Sequence, residues 1–165
     1  MSNPQRGFIA LVVVGLAVAL LVVLSGGGSN ERTGTTSTSP APRATNYKGR
    51  ALRAARTFRR SAAAAARRVR AAGSAAGKLA ALDGLDAVIV RAANDFSGLS
   101  PPPQLASDNR ALVSALRTLA GLVEQRKQVV RSGDPTAARE LTKKVSSTQA
   151  ELQAAISRLQ SKIGP

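Results

Sequence analysis

Across residues 51–163, apolar side chains return at alternating steps of three and four, and this period decides the fold class. Such spacing lines one face of an α-helix, whereas a half-buried strand requires strict alternation. The first seam carries Ala51, Ala55, Phe58, Ala62, Ala65, Val69, Ala72, Ala76 and Leu79. It is mostly alanine and buries little area per turn. Gly73, Ser74 and Gly77 interrupt it, and the pattern slips by one position before resuming at Leu82, Leu85, Ile89, Ala92, Phe96 and Leu99. Each glycine costs about 1 kcal/mol against alanine inside a helix, so a break or kink is expected between residues 73 and 84. A third seam follows Leu105, Leu112, Leu116, Leu119, Val123 and Val130. The fourth follows Leu141, Val145, Leu152, Ala155, Leu159 and Ile163.

The punctuation between seams is specific. Ser100 and Pro101 end one element and open the next, because proline is tolerated in a first helical turn. In the Ser-Gly-Asp-Pro turn, Gly133 suits the left-handed position after a helix, Asp134 the N-cap and Pro135 the first helical position. The expected helices span about 46–72, 78–98, 102–131 and 135–163, within a domain of residues 46–165. The fold class is all-α, an up-and-down bundle of four helices with short loops and coiled-coil-like seams. The alternative is three helices with a projecting basic arm. An unbroken first helix through Leu99 would be about 80 Å long, roughly twice its partners. The break near Gly73 favours the fourth helix.

Ahead of this domain, residues 7–24 form an uncharged run, GFIALVVVGLAVALLVVL, after a short tail of residues 1–6. Its 18 residues span about 27 Å as a helix, close to the roughly 30 Å of a hydrocarbon core. A cleavable signal usually has a core of roughly 7–15 residues, so a retained transmembrane signal-anchor is expected. Ser25, Gly26 and Gly27 leave cleavage and secretion as the alternative. Arg6 precedes the run, while Arg32 beyond it is balanced by Glu31. The positive-inside rule then favours a bacterial cell membrane protein, single-pass, with its domain extracytoplasmic; a cytoplasmic domain is the other orientation. Gly15 and Ala19 make a small-xxx-small pair, which carries little weight in a span this rich in small residues. Residues 25–45, rich in Gly, Ser, Thr and Pro, are read as a disordered linker, too polar to offset ordering entropy.

The net charge of +15 is unevenly placed. Residues 32–82 hold twelve basic residues and no acid, whereas residues 83–165 hold eleven basic and eight acidic ones. A GC-rich genome inflates Ala, Arg, Gly and Pro throughout a chain, but it does not clear acids from one half. A single-sign block attracts polyanions and anionic surfaces. On a helix whose seam includes Ala55, Ala62 and Val69, the residues Arg53, Arg56, Arg60, Arg67 and Arg70 fall on the opposite side, flanked by Arg50, Arg59 and Arg68. These eight are the candidate polyanion contacts, toward anionic lipid or a cell-wall polymer. The same residues also suit a solvated outer face of a structural or oligomerising scaffold, with a protein partner or a second copy. Sequence-independent nucleic-acid binding is the least favoured partner, because Tyr47 and Phe58 are the only nearby aromatics for stacking.

Nothing points to catalysis. The chain has no cysteine and no histidine, which removes the thiolate nucleophile, the usual general base and the usual transition-metal ligands. No phosphate loop, nucleophile elbow or metal-ligand spacing is present. Asp83 and Asp86 are helical neighbours but flank Gly84, and they are read as caps at a helix junction. No catalytic, cofactor-binding or metal residue is expected, and the chain is not expected to be an enzyme.

The stretch FSGLSPPPQLASDNRALVSAL, followed by RSGDP and a helix ending in IG, resembles small envelope proteins of actinobacteria, many of them membrane-anchored or lipoproteins with a Thr/Ser/Pro-rich linker. The likeness covers the export segment, the linker and roughly residues 96–164. It implies an envelope location and an uncharacterised helical domain, and no activity. Two positions depart from that pattern. Gly27 stands where the lipidated cysteine would be, and Asn109 lies where such proteins often have a histidine.

Overall fold

The computed structural model describes residues 42–163. The apolar run 7–24, the tail before it and all but the last four residues of the stretch read as linker lie outside the described residues. Within them the chain forms four α-helices and no strand: α1 (Pro42–Ala71), α2 (Ala75–Ser97), α3 (Pro103–Ser132) and α4 (Pro135–Ile163). None of these is long and apolar enough to cross a membrane.

Each boundary has a chemical cause. The first helix begins at Pro42, so residues 42–45 are helical where a linker was expected. It ends at Ala71, and the chain breaks at residues 72–74. Ser74 then caps α2, its hydroxyl accepting from the Gly77 backbone N–H at 3.1 Å. That cap starts α2 three residues before the expected 78 and carries Gly77 inside the helix. The break is therefore confined to the Gly73 side. Gly84 lies in the uninterrupted middle of α2, so no junction forms around it. Pro103 opens α3 as its first residue, after Pro101 and Pro102 have kept the chain extended. Gly133 closes α3 at φ 70°, donating its N–H to the Val129 carbonyl. Asp134 caps α4 through Oδ1, which accepts from the backbone of Thr136 at 2.8 Å and Ala137 at 3.2 Å. These roles of Gly133, Asp134 and Pro135 are the expected ones.

Consecutive helices pack on one another through loops of two to five residues, so neighbours run antiparallel and α1 folds back onto α2. The core collects the expected seams. Phe58, Ala62 and Val69 of α1 are buried with Leu85, Ile89 and Phe96 of α2, Leu112, Leu116 and Leu119 of α3, and Leu141, Leu152 and Leu159 of α4. Ala76 is exposed, because the break at 72–74 takes it off the seam of α1. Backbones approach most closely in the three consecutive pairs, so the side of α1 that faces α4 is the looser seam.

Candidate functional site

The arginine face begins with the periodicity of α1. Tyr47, Ala51, Phe58, Ala62, Ala65, Ala66 and Val69 occupy its buried side. At 100° per residue the arginines fall on the remaining arc. Arg50, Arg53, Arg56, Arg60, Arg67, Arg68 and Arg70 are exposed, and Arg59 is half-buried. From Arg50 to Arg70 the face runs about 30 Å. Arg68 and Arg70 sit in the last turn, where the helix dipole favours cations.

Among the described residues no ion pair engages any of these eight arginines. Asp83, Asp108, Glu124 and Glu140 instead pair with lysines and an arginine of α3 and α4. Asp108, buried at the start of α3, accepts from Lys162 Nζ at 2.6 Å and Arg158 Nε at 3.2 Å, tying α3 to the end of α4. The Lys162 hydrogen bond, aided by Arg158, holds the Asp108 carboxyl below the usual carboxylate range despite burial. Asp83 pairs with Lys127 at 2.9 Å, and Lys127 also meets Glu124 on its own helix. These contacts with Glu124 and Asp83 raise the Lys127 ammonium above its ordinary pKa. Glu140 pairs with Lys143 along α4. Asp83 is thus a tertiary partner for α3 and not a helix cap, because Gly84 leaves the helix intact and the Asp83 carboxylate accepts from Lys127 across the seam.

A second polar cluster was not anticipated from the sequence. The Tyr47 hydroxyl donates to Asn109 Oδ1 at 3.0 Å, and Asn109 Nδ2 donates to the Phe96 carbonyl at 3.1 Å. This chain of bonds links α1, α3 and the end of α2 inside the core. Burial, with the Asp108 charge nearby, pushes the Tyr47 phenol up to about 12. One sequence signal was available: steps of four and three place Asn109 on the seam of Leu105, Leu112 and Leu116, where a polar side chain must find a partner.

Among the described residues, no group of three or more carboxylates comes together that could hold a metal ion. The chain matches no protein-family model, no curated protein and no solved structure.

Proposed function

We propose that this chain is a membrane-tethered, extracytoplasmic interaction protein without catalytic activity. In this reading residues 7–24 anchor it in a bacterial membrane, residues 25–41 form the linker, and α1 turns its arginines toward anionic lipid headgroups or phosphate-bearing envelope polymer. The observation that carries the reading is the set of eight arginines on the outer arc of α1, none paired with a carboxylate among the described residues. Paired arginines would be explained by bundle assembly; unpaired like charges repel one another, and an anionic surface relieves that repulsion. Each basic residue near such a surface contributes about 1 kcal/mol.

The nucleic-acid reading draws less support. Tyr47 and Phe58, the aromatics nearest the arginines, are both buried in the core and offer no face to a stacked base.

The location is tested by a reporter fused after Pro165 that is active on one side of the membrane only. Activity outside the cell is expected, and activity confined to the cytoplasm would overturn the extracytoplasmic reading. Arg53→Gln, Arg60→Gln and Arg67→Gln together should then lower retention of fragment 42–165, which lacks the anchor, on isolated envelopes at low salt. Unchanged retention would assign the arginines to solvation alone.

A further inference from the structure

A cavity opens between α1 and α2, lined by those two helices alone. Phe58 and Ala92, both buried in the core, form its floor. Phe58 props the helices apart, and Ser61 and Ala92 are too short to fill the space beside it. The volume is about 170 Å³, and the exposed Thr57, Arg91 and Asp95 mark its open side. An engineered cavity of about 150 Å³ takes a benzene ring, so a ligand of similar size fits here.

Four polar side chains line this cavity: Thr57 and Ser61, one turn apart on α1, and Arg91 and Asp95, one turn apart on α2. The Thr142 hydroxyl elsewhere bonds back to the Ala138 carbonyl. Among the described residues, the Thr57 and Ser61 hydroxyls have no such partner. Arg91 and Asp95 make no ion pair among the described residues, not even with each other. An arginine four positions ahead of an acid is the weaker helical orientation. The helices run antiparallel from the turn at residues 72–74, so Arg91 stands level with Thr57, Ser61 lies nearer the turn and Asp95 farther from it. A guanidinium and two hydroxyls therefore gather at one end. The carboxylate stands at the other, about 6 Å further along the axis.

We propose that this cavity binds a small zwitterion carrying a phosphate and a primary ammonium four bonds apart, the phosphoethanolamine group. Arg91 donates two N–H bonds to the phosphate from its planar fork. Thr57 and Ser61 donate their O–H groups to the remaining oxygens, and Asp95 accepts from the ammonium. The two-carbon link lies on Phe58 and Ala92. Phosphorus to nitrogen spans about 5 Å, at about 1.25 Å advance per bond, which matches one helical turn. An α-amino acid separates its charges by only about 2.5 Å and is too short. A simple anion is the poorer occupant, because it leaves the Asp95 carboxylate facing a like charge. None of the eight arginines of α1 takes part, which separates this site from the basic-face reading.

The test titrates the full chain, in neutral detergent micelles, with O-phosphoethanolamine, and phosphorus NMR reads binding. Saturation with a Kd of about 20 mM or tighter is expected, the floor for so small a ligand. Arg91→Gln should weaken binding about tenfold or more. Asp95→Asn should erase the preference for O-phosphoethanolamine over methyl phosphate, which lacks the ammonium. Circular dichroism checks that helix content is kept. Should either variant lose it, Thr57→Val with Ser61→Ala takes its place and should weaken binding about threefold or more. No saturation by about 20 mM, equal binding of methyl phosphate by the parent, or binding untouched by Arg91→Gln would overturn the proposal. Loss of binding on Arg53→Gln, Arg60→Gln and Arg67→Gln together would also overturn it, by moving the ligand to the arginine row. In vesicles, competition by phosphatidylethanolamine and not by phosphatidylcholine identifies a lipid headgroup as the source; no competition by either identifies a free phosphomonoester. Cavity binding by a protein that partitions equally to neutral and anionic vesicles keeps this site and removes the basic-face reading; the reverse pattern does the opposite.

Discussion

Replacing Asn109 with leucine isolates the hydrogen bond that ties the start of α1 to α3. The substitution leaves the buried Tyr47 hydroxyl without its acceptor, while the Phe96 carbonyl keeps the Leu99 N–H at 3.3 Å. One stranded buried polar group costs about 1–3 kcal/mol. Tyr47→Phe makes the mirror-image defect, stranding Asn109 Oδ1 at similar cost, about 1–3 kcal/mol. The double variant strands neither group, so it should be less destabilised than the sum of the singles by about 1–3 kcal/mol. For a domain of this size that is roughly 3–10 °C in midpoint, measured by circular dichroism on a fragment covering residues 42–165. Tyr47 is the chain's one tyrosine, and there is no tryptophan, so phenolate absorbance reports this site alone. Its folded pKa of about 12 lies above the ordinary 10.0. Below pH 10 the bond's contribution is fully present; between pH 10 and about 12 the unfolded chain ionises first and stability falls. Strict additivity of the two substitutions, or a phenol titrating at 10.0 in a still-helical protein, would refute the buried Tyr47–Asn109 bond.

Four further outcomes are expected. Asp108 has a depressed folded pKa, so its contribution is present above the ordinary carboxylate range and lost as pH falls through the folded value; Asp108→Asn should lower the neutral-pH melting point and flatten the acid limb of the melting curve. Gly133→Ala forces an L side chain to φ 70° and should cost about 1–2 kcal/mol in denaturant unfolding. Gly121→Ala, in the exposed middle of α3 with open space around its Cβ position, should gain up to about 1 kcal/mol in the same assay. Ser74→Ala removes the cap of α2 and should cost about 1 kcal/mol, with faster amide exchange at Gly77 than in the parent.

The three-four spacing made the helices legible, because nearly every seam leucine found the core it pointed to. Gly133, Asp134 and Pro135 were readable for a local reason: each role depends only on its own backbone conformation. Where the reading fell short, the deciding contact lay far along the chain. Gly77 looked like part of a break until the Ser74 hydroxyl was seen to hold its N–H. Asp83 looked like a cap because Lys127, 44 positions away, is invisible to local spacing. Tyr47 counted only as an aromatic near arginines, since nothing nearby announces Asn109 as its acceptor. The arginine row of α1 was legible apart from the half-buried Arg59, for exposure on a helix follows largely from period. The apolar gap between Ala51 and Ala55 of α1 and Leu152 and Ile156 of α4 was not, because it depends on how far α1 stands from α4.

The central claim is that the arginines of α1 meet an anionic surface, and co-sedimentation measures it most directly. Fragment 42–165 is mixed with vesicles of neutral lipid, or of neutral lipid doped with phosphatidylglycerol, at low and high salt. The fragment should partition to the anionic vesicles and dissociate as salt rises. Arg53→Gln, Arg60→Gln and Arg67→Gln together should weaken that partition by about a hundredfold at low salt, from about 1 kcal/mol per arginine. Equal binding to both vesicle types, or full binding by the triple variant, would contradict the account.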